Sequence, residues 1–393
     1  MTSVKIAFHV ARGDPWQAGL AHLQNFIFAL KQTYGNDLTL CLLAPRTKSA
    51  RYSIPNDLSQ QVDEIIDIPA FERWTALWAM DLAVKLTFSR DVRGSRALRS
   101  HRIDVIFGMW IQYTYDKIPT LSWIPDFQHV HLPEMFSARE RVKRDQAFLR
   151  TAKLSTRIVL MSESVKKDFQ AFAPSYAHKA RVLKTASRIP ASVYEVDPKF
   201  VVDQYHLPDK FFYLPNQFWK HKNHELVFQA LKILKDRGSR IFVACSGYQG
   251  DYRHPSYFSD LLQKVSRWGI RDQIAFLGLI PRYSMFQLMR QSVCVLNPSL
   301  FEGFGLTIDE ARSVGKQVIM SDILAHREQN PPGAVFFDPQ DCEGLAQKLE
   351  KIWYEIPPGP DMKLESEARQ SLPGRIRACA ESFMSVVREV INR

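Results

Sequence analysis

The chain has 393 residues, 46% of them hydrophobic and 24% charged. That composition excludes a largely disordered protein, and the length favours two domains of roughly 150 to 200 residues over one core. The net charge of +11 favours anionic partners, whether nucleic acid, membrane or acidic small molecules, without choosing among them.

No run approaches the roughly 20 apolar residues needed to span a bilayer. The first residues read as a strand and not as a secretory leader, so a cytoplasmic protein is expected. The five cysteines are scattered without metal-ligand spacing, and neither zinc nor disulfides are expected.

In chain order, Val4 to Val10 reads as a buried strand. Residues 11–15 form a loop before Gly19 and the helical apolar pattern Leu20, Leu23, Phe26, Ile27, Leu30. This strand, glycine-containing turn and helix is the opening unit of an open parallel sheet. Gly19 therefore reads either as a ligand-approaching turn residue or as a helix-packing glycine.

Strands follow at Leu38–Leu43 and Glu64–Asp67. From Phe71 to Arg102 the texture changes to Trp74, Leu77, Trp78, Leu82, Leu86 and Phe88, then arginine at every third residue from Arg90 to Arg102. The arginines read as a slanted basic stripe on a helix. It is either a solvated face or a surface that meets anionic lipid or a polyphosphorylated carrier.

Ile103–Phe107 is a further strand, and the strand at Leu121 runs into a polar loop holding Asp126, His129 and His131. Arg157–Met161 is another, with Ser162 as the cap of the next helix. Between Lys184 and Asp209 three prolines and no sustained period mark the domain boundary.

Phe211–Leu214 restarts the alternation of strand and helix, with strands at Arg240–Cys245 and Ile274–Leu277. The most informative stretch runs from Val293 to Glu328. Val293–Leu296 is a strand stopped by Asn297-Pro298-Ser299. Gly303 and Gly305 permit a tight turn, a helix starts near Leu306, and Gly315 stops it before a strand at Gln317–Met320. The helix start aims unpaired N–H groups into the turn, a corner suited to phosphate. Glu302 and Glu310 frame it as charged acceptors suited to sugar or ribose hydroxyls. The bland alternative is an ordinary helix with acidic residues in its first turns. A strand at Ala334–Phe337, a helix from Asp341 and a last helix at Glu365–Val390 complete the chain.

The sequence Glu302-Gly-Phe-Gly-Leu-Thr-Ile-Asp-Glu310, with Asn297-Pro-Ser before it and Gly315 and Ser321-Asp322 after it, resembles the donor-site motif of the retaining family 4 glycosyltransferases. The resemblance implies the GT-B fold, two Rossmann-like open parallel-sheet α/β domains facing a central cleft. Domains are expected at 1–190 and 191–370, with 371–393 crossing back to the first.

It implies that Glu302 contacts the transferred sugar and Glu310 the ribose. The amides of Gly303, Phe304, Gly305, Leu306 and Thr307 face the sugar and phosphates, with Gly19 and Gly247 also near the donor and Ile280 lining the base pocket. Lys222 matches the family's diphosphate-binding lysine, while the arginine five residues earlier is replaced by Gln217, which can bond a phosphate but not neutralise it. His129 matches a family histidine that positions the acceptor or touches the donor sugar and is a catalytic candidate, unless it only satisfies a local hydrogen bond; Asp126, at the same strand end, is a candidate for positioning the acceptor.

The expected activity is retaining transfer of a hexosyl residue from a nucleotide-diphosphate sugar to a glycan or lipid-linked acceptor in polysaccharide or O-antigen assembly. No cofactor or metal is expected, because the chain contains no Asp-x-Asp triplet. Peripheral contact of the first domain with anionic membrane is a further expectation. Another GT-B enzyme, such as a nucleotide-sugar epimerase or a glycogen-synthase-like polymerase, is the nearer rival. A nucleic-acid-binding protein is the distant one, since no recognition module is discernible.

Overall fold

Among the described residues, thirteen short strands assemble into two sheets, each entirely parallel and each in its own unit. The computed structural model describes residues 3–9, 17–46, 56–69, 76–109, 111 and 113–392. The expected loop at 11–15, Val10 and Trp74 lie outside the described residues.

Unit 1 contains β1 (Val4–His9), β2 (Leu38–Arg46), β3 (Glu64–Pro69), β4 (Val105–Met109), β5 (Thr120–Trp123), β6 (Arg157–Leu160) and β7 (Ala180–Val182), in the order β3-β2-β1-β4-β5-β6-β7. Ile6, Ala7 and Phe8 are consecutive and all fully buried. A parallel strand covered on both faces needs such a continuous apolar run.

Helices α1 (Gln17–Tyr34), α2 (Ala76–Phe88), α3 (Val92–Ser100), α4 (Ala138–Leu154) and α5 (Glu163–Phe172) belong to this unit. Gly19 is not in a turn. It is the third residue of α1 and buried, because the helical pattern extends upstream of the first leucine. The basic stripe is also broken: the chain bends at Ser89, with φ of 52°, and Asp91 caps α3 by accepting from the N–H of Gly94 at 2.8 Å. Ser162 caps α5, accepting from the N–H of Val165 at 3.2 Å.

Unit 2 contains β8 (Phe212–Leu214), β9 (Val243–Cys245), β10 (Ile274–Phe276), β11 (Val295–Asn297), β12 (Val318–Ser321) and β13 (Val335–Phe337), in the order β10-β9-β8-β11-β12-β13. Side chains alternate across this sheet. Phe212, Leu214 and Leu296 enter one core layer and Phe211, Tyr213 and Val295 the other. Each such large side chain contributes about 1.5 to 3 kcal/mol when fully buried.

The layers are completed by α6 (His224–Asp236), α7 (Arg282–Gln291), α8 (Leu306–Val314), α9 (Leu324–Gln329) and α10 (Cys342–Glu355). The final helix, α11 (Met362–Ile391), is shared. Its residues up to Pro373 cluster with unit 2 and those from Gly374 with unit 1. In unit 1, Phe383 packs on Phe8, Phe26 and Phe107 at centroid distances of 5.9, 5.6 and 5.2 Å. Glu389 accepts from Arg157 and Arg181, each at 2.6 Å, which holds its carboxyl down at about 2.

Residues 128–137, from the loop after β5, cluster with unit 2. Among the described residues no helix is long and apolar enough to cross a membrane.

Candidate active site

In unit 2, β8 has β9 on one side and β11 on the other, so the direction of winding reverses between β8 and β11. Ligands of open parallel sheets bind beyond the carboxyl ends of the strands at such a reversal. Two loops leave the sheet there. One follows β8 and carries Asn216, Gln217 and Lys222. The other follows β11 and carries Ser299, Glu302 and the glycine turn.

Side chains join the two loops. Lys222 Nζ lies 2.6 Å from Glu302 Oε1, and Ser299 Oγ donates to the same oxygen at 2.7 Å. Asn216 donates to Asn297 Oδ1 at 3.2 Å, and Thr307 donates to Asn216 Oδ1 at 3.1 Å. A chain of hydrogen bonds therefore runs from the start of α8 across both strand ends. The lysine side chain is 17% exposed and the glutamate 11%. Burial pushes the Glu302 carboxyl up, but Lys222, His326 and the two hydrogen bonds outweigh it and hold the group below the ordinary value.

The glycine turn has the conformation its sequence requires. Gly305 stands at φ of 86°, a region costly to any residue with a Cβ, and no side chain caps the start of α8. Gln329 of α9 donates from Nε2 to the carbonyl of Gly305 at 2.9 Å and also to that of Phe304. Both carbonyls are thereby tied to α9.

His326, also on α9, is fully buried, with Nδ1 2.7 Å from the Ser321 carbonyl. A Cβ on Gly305 would come 3.5 Å from its ring. Burial holds its pKa below the ordinary value, and because a carbonyl only accepts, Nδ1 carries the hydrogen donated to it.

Glu310 lies one turn into α8, 4% exposed, and pairs with Arg282 of α7 at 2.7 Å. Burial raises its carboxyl and outweighs the arginine. Its neighbour Asp309 accepts from both the N–H and the hydroxyl of Ser187, each at 2.7 Å, and so anchors the chain where it enters unit 2.

Gly247 packs against the β8 loop. A Cβ there would fall 2.4 Å from the Asn216 carbonyl oxygen and 2.8 Å from the Cα of Gln217. The loop after β9 is thus pressed onto the one holding Gln217, and it brings Arg253 with it. Arg253 approaches Asp251 at 3.5 Å, donates to Gln128 at 3.2 Å and lies over the rings of Phe136 and Trp219.

Ile280 is half-buried before α7 and packs on the core. His129 is buried with its ring edge towards Phe136, while His131 stacks on Phe301, next to Glu302, at 4.9 Å. Gly19 and Asp126 belong to unit 1.

Sequence reasoning missed Ser299, Asn216, Arg253, His326 and Gln329 as parts of this site. The Asn-Pro-Ser stop did flag the neighbourhood of Ser299. The rest depend on contacts between elements far apart in the chain.

Residues 202–368 match the family model described as glycosyl transferases group 1. The chain is similar to the O-antigen chain mannosyltransferase RfbU of Salmonella typhimurium, 26% identical over 196 residues, which is 49% of this chain and 53% of that protein. It is also similar to O-antigen chain mannosyltransferase B of Escherichia coli, 28% identical over 142 residues, 34% of this chain and 36% of that one. The chain thus spans about half or less of the length of these curated relatives.

Among solved structures, HepE of Anabaena in complex with UDP and glucose superimposes with a TM-score of 0.69 at 18% identity, covering 97% of this chain and 99% of that one. A glycosyltransferase of Rickettsia africae gives 0.68 at 14% identity over all of both chains. At these identities the likeness shows the fold.

Proposed function

We propose that the protein is a retaining hexosyltransferase with its donor-side site in unit 2, a reading supported by the match of residues 202–368 to the glycosyl transferases group 1 model and by the GT-B fold. It moves a mannosyl, rhamnosyl or glucosyl-type residue from a nucleotide-diphosphate sugar to a glycan or lipid-linked acceptor in O-antigen or similar polysaccharide assembly. The observation that carries this reading is the joining of Lys222 and Glu302, from two different loops, above an uncapped helix start at the switch point of the sheet. The mannosyltransferase relatives support the class of sugar and product.

In this reading the diphosphate sits over the start of α8, where Lys222 and the amides of residues 303–307 stabilise the charge that develops as it leaves. Preorganised electrostatic stabilisation of this kind commonly supplies the largest part of catalysis. Glu302 holds the sugar, and Glu310, with Arg282 beside it, faces the ribose. Gln217 and Gly247 form the phosphate-side wall and Ile280 the base-side wall. Asp126 and His129 are assigned to the acceptor on the family resemblance alone.

The leaving phosphate serves as base for a front-face attack by the acceptor hydroxyl, which gives retention without an enzymic nucleophile. Protein cations and amides do the neutralising, so turnover should survive a chelator. Loss of activity in EDTA with recovery in magnesium or manganese would contradict the role given to Lys222.

The test is incubation with labelled nucleotide sugars, with and without a lipid-linked or free glycan acceptor, followed by assignment of the anomeric configuration of the product. Label reaching the glycan with the donor's configuration supports the proposal. Consumption of donor alone would favour an epimerase, and an inverted product would exclude front-face transfer.

A further inference from the structure

His326 of α9 is 0% exposed, yet only one of its ring nitrogens is used. Nδ1 lies 2.7 Å from the Ser321 carbonyl and 3.2 Å from the Ser321 hydroxyl, and that hydroxyl donates to the Ser299 carbonyl at 2.5 Å. These contacts tie the ring to the ends of β11 and β12. Nε2 has no hydrogen-bond partner among the described residues. A buried polar atom left unpaired costs stability, and an apolar side chain in the same place would avoid that cost.

The unpaired side of the ring lies against the glycine turn. Its Cδ2, bonded to Nε2, is the ring atom that a Cβ on Gly305 would meet at 3.5 Å. The charged groups acting on the ring come from three loops: Glu302 after β11, Lys222 after β8 and Asp322 after β12. Asp322 is engaged by Arg327 at 2.6 Å. Burial holds the ring neutral and Lys222 adds to this, while Glu302 and Asp322 favour the cation. Glu302 and Lys222 are themselves paired at 2.6 Å.

That pair does not survive the arrival of a diphosphate that takes Lys222. Glu302 then keeps its negative charge but loses its cation, and the ligand brings further negative charge close by. Both changes favour a new cation beside the carboxylate. An imidazole is ordinarily more basic than a carboxyl group, with a pKa of about 6.5 against about 4.3, so of the two neighbours the ring takes the proton first. It does so without turning, because Nδ1–H stays on the Ser321 carbonyl in both charge states. Only Nε2 changes, from a lone pair to an N–H.

On the donor-site reading of unit 2, we propose that His326 is a positioning residue: when the diphosphate draws Lys222 away, a proton from solvent binds Nε2, and the imidazolium beside the glycine turn keeps Glu302 in place as an anion for the sugar. The proton returns to solvent when the nucleoside diphosphate leaves and Lys222 pairs with Glu302 again.

Uridine, guanosine, adenosine and thymidine diphosphates are titrated into the full-length protein by calorimetry at about pH 7. The buffers are PIPES, ACES and imidazole, which differ in ionisation enthalpy. The slope of binding enthalpy against buffer ionisation enthalpy counts the protons taken up. The tightest-binding diphosphate should bring more protons into the parent than into His326→Gln, by up to about one per site. Protons exchanged by the ligand's own phosphates are common to both proteins and cancel. Glu302→Gln, which leaves the ring no anion to answer, should lose the extra uptake as well.

Long-range proton–nitrogen NMR of the histidine-labelled parent gives a second reading that needs no variant. Saturating ligand should convert one ring from the Nδ1–H tautomer to the doubly protonated form. Binding with equal proton counts in the parent and His326→Gln, or with no ring changing state, would overturn the proposal and leave the donor site standing. Absence of binding by all the diphosphates would overturn both.

Discussion

Lys222 Nζ and Glu302 Oε1 stand 2.6 Å apart, although 80 residues separate them in the chain. The cation assigned to the donor diphosphate is therefore already paired with the carboxylate assigned to the sugar. Donor binding on this account exchanges one anionic partner of Lys222 for another. The buried carboxylate is then left to its hydrogen bond from Ser299 and to the sugar.

Removing one member of this pair should be costly twice over. Lys222→Gln leaves a buried carboxylate without its cation, for which about 3 to 5 kcal/mol of stability is the usual loss. Lys222→Gln with Glu302→Gln should recover most of that stability in a denaturant titration and none of the turnover. If the double variant regains activity along with stability, the lysine has only a structural role.

Gln329 acts on the site without touching the donor. Its two hydrogen bonds tie the carbonyls of Phe304 and Gly305 to α9, which fixes the orientation of the peptide planes in the glycine turn. Gln329→Leu leaves those carbonyls without this donor and should lower kcat by about tenfold, the equivalent of about 1.4 kcal/mol in the barrier. Nucleotide affinity should change less, because Glu310 and Arg282 lie outside the turn. Initial-rate measurement of kcat and KM checks the split, and an unchanged kcat would remove Gln329 from the site.

A pH dependence arises away from the site. Lys316 is 5% exposed and donates to the carbonyls of Gly359 at 2.8 Å and Arg290 at 3.1 Å, bonds that a neutral amine can still make. Burial depresses its pKa from 10.5 to about 8. Between those values the unfolded chain binds the proton and the folded one does not, so stability rises with pH from about 8 to 10.5. Below pH 8 the folded state carries the cost of a buried charge, about 3 kcal/mol at full effect. Lys316→Met should flatten this part of the stability profile, measured by denaturant unfolding at stepped pH. A profile identical to the parent's would contradict it.

How much of this was legible in the sequence follows from how local each signal is. The strand, glycine turn and helix around Glu302 were readable because Asn297-Pro298-Ser299, Gly305 and Gly315 act within a few residues of themselves. The same holds for the cap at Ser162. Gly19 was readable only as one of two alternatives, a turn residue or a helix-packing glycine, and its buried place in the first turn of α1 fits the second. His326, Gln329 and Arg253 became functional candidates only when α9 and the loop after β9 were seen against the glycine turn and the β8 loop. No periodicity encodes such pairings.

The most direct test of the central claim is titration of a nucleoside diphosphate into the parent and into Lys222→Gln, Glu310→Ala and Glu302→Gln, read by calorimetry or by thermal shift. At 100 times the dissociation constant the parent should gain about 2.7 kcal/mol. Lys222→Gln and Glu310→Ala should each weaken binding by about 1.5 to 3 kcal/mol, the range for hydrogen bonds to charged groups. Glu302→Gln, which removes the anion competing for Lys222, should bind nucleotide at least as tightly as the parent does while losing turnover. Equal affinity in all four proteins, or no binding by the parent, would contradict a donor diphosphate held by Lys222 at the glycine turn.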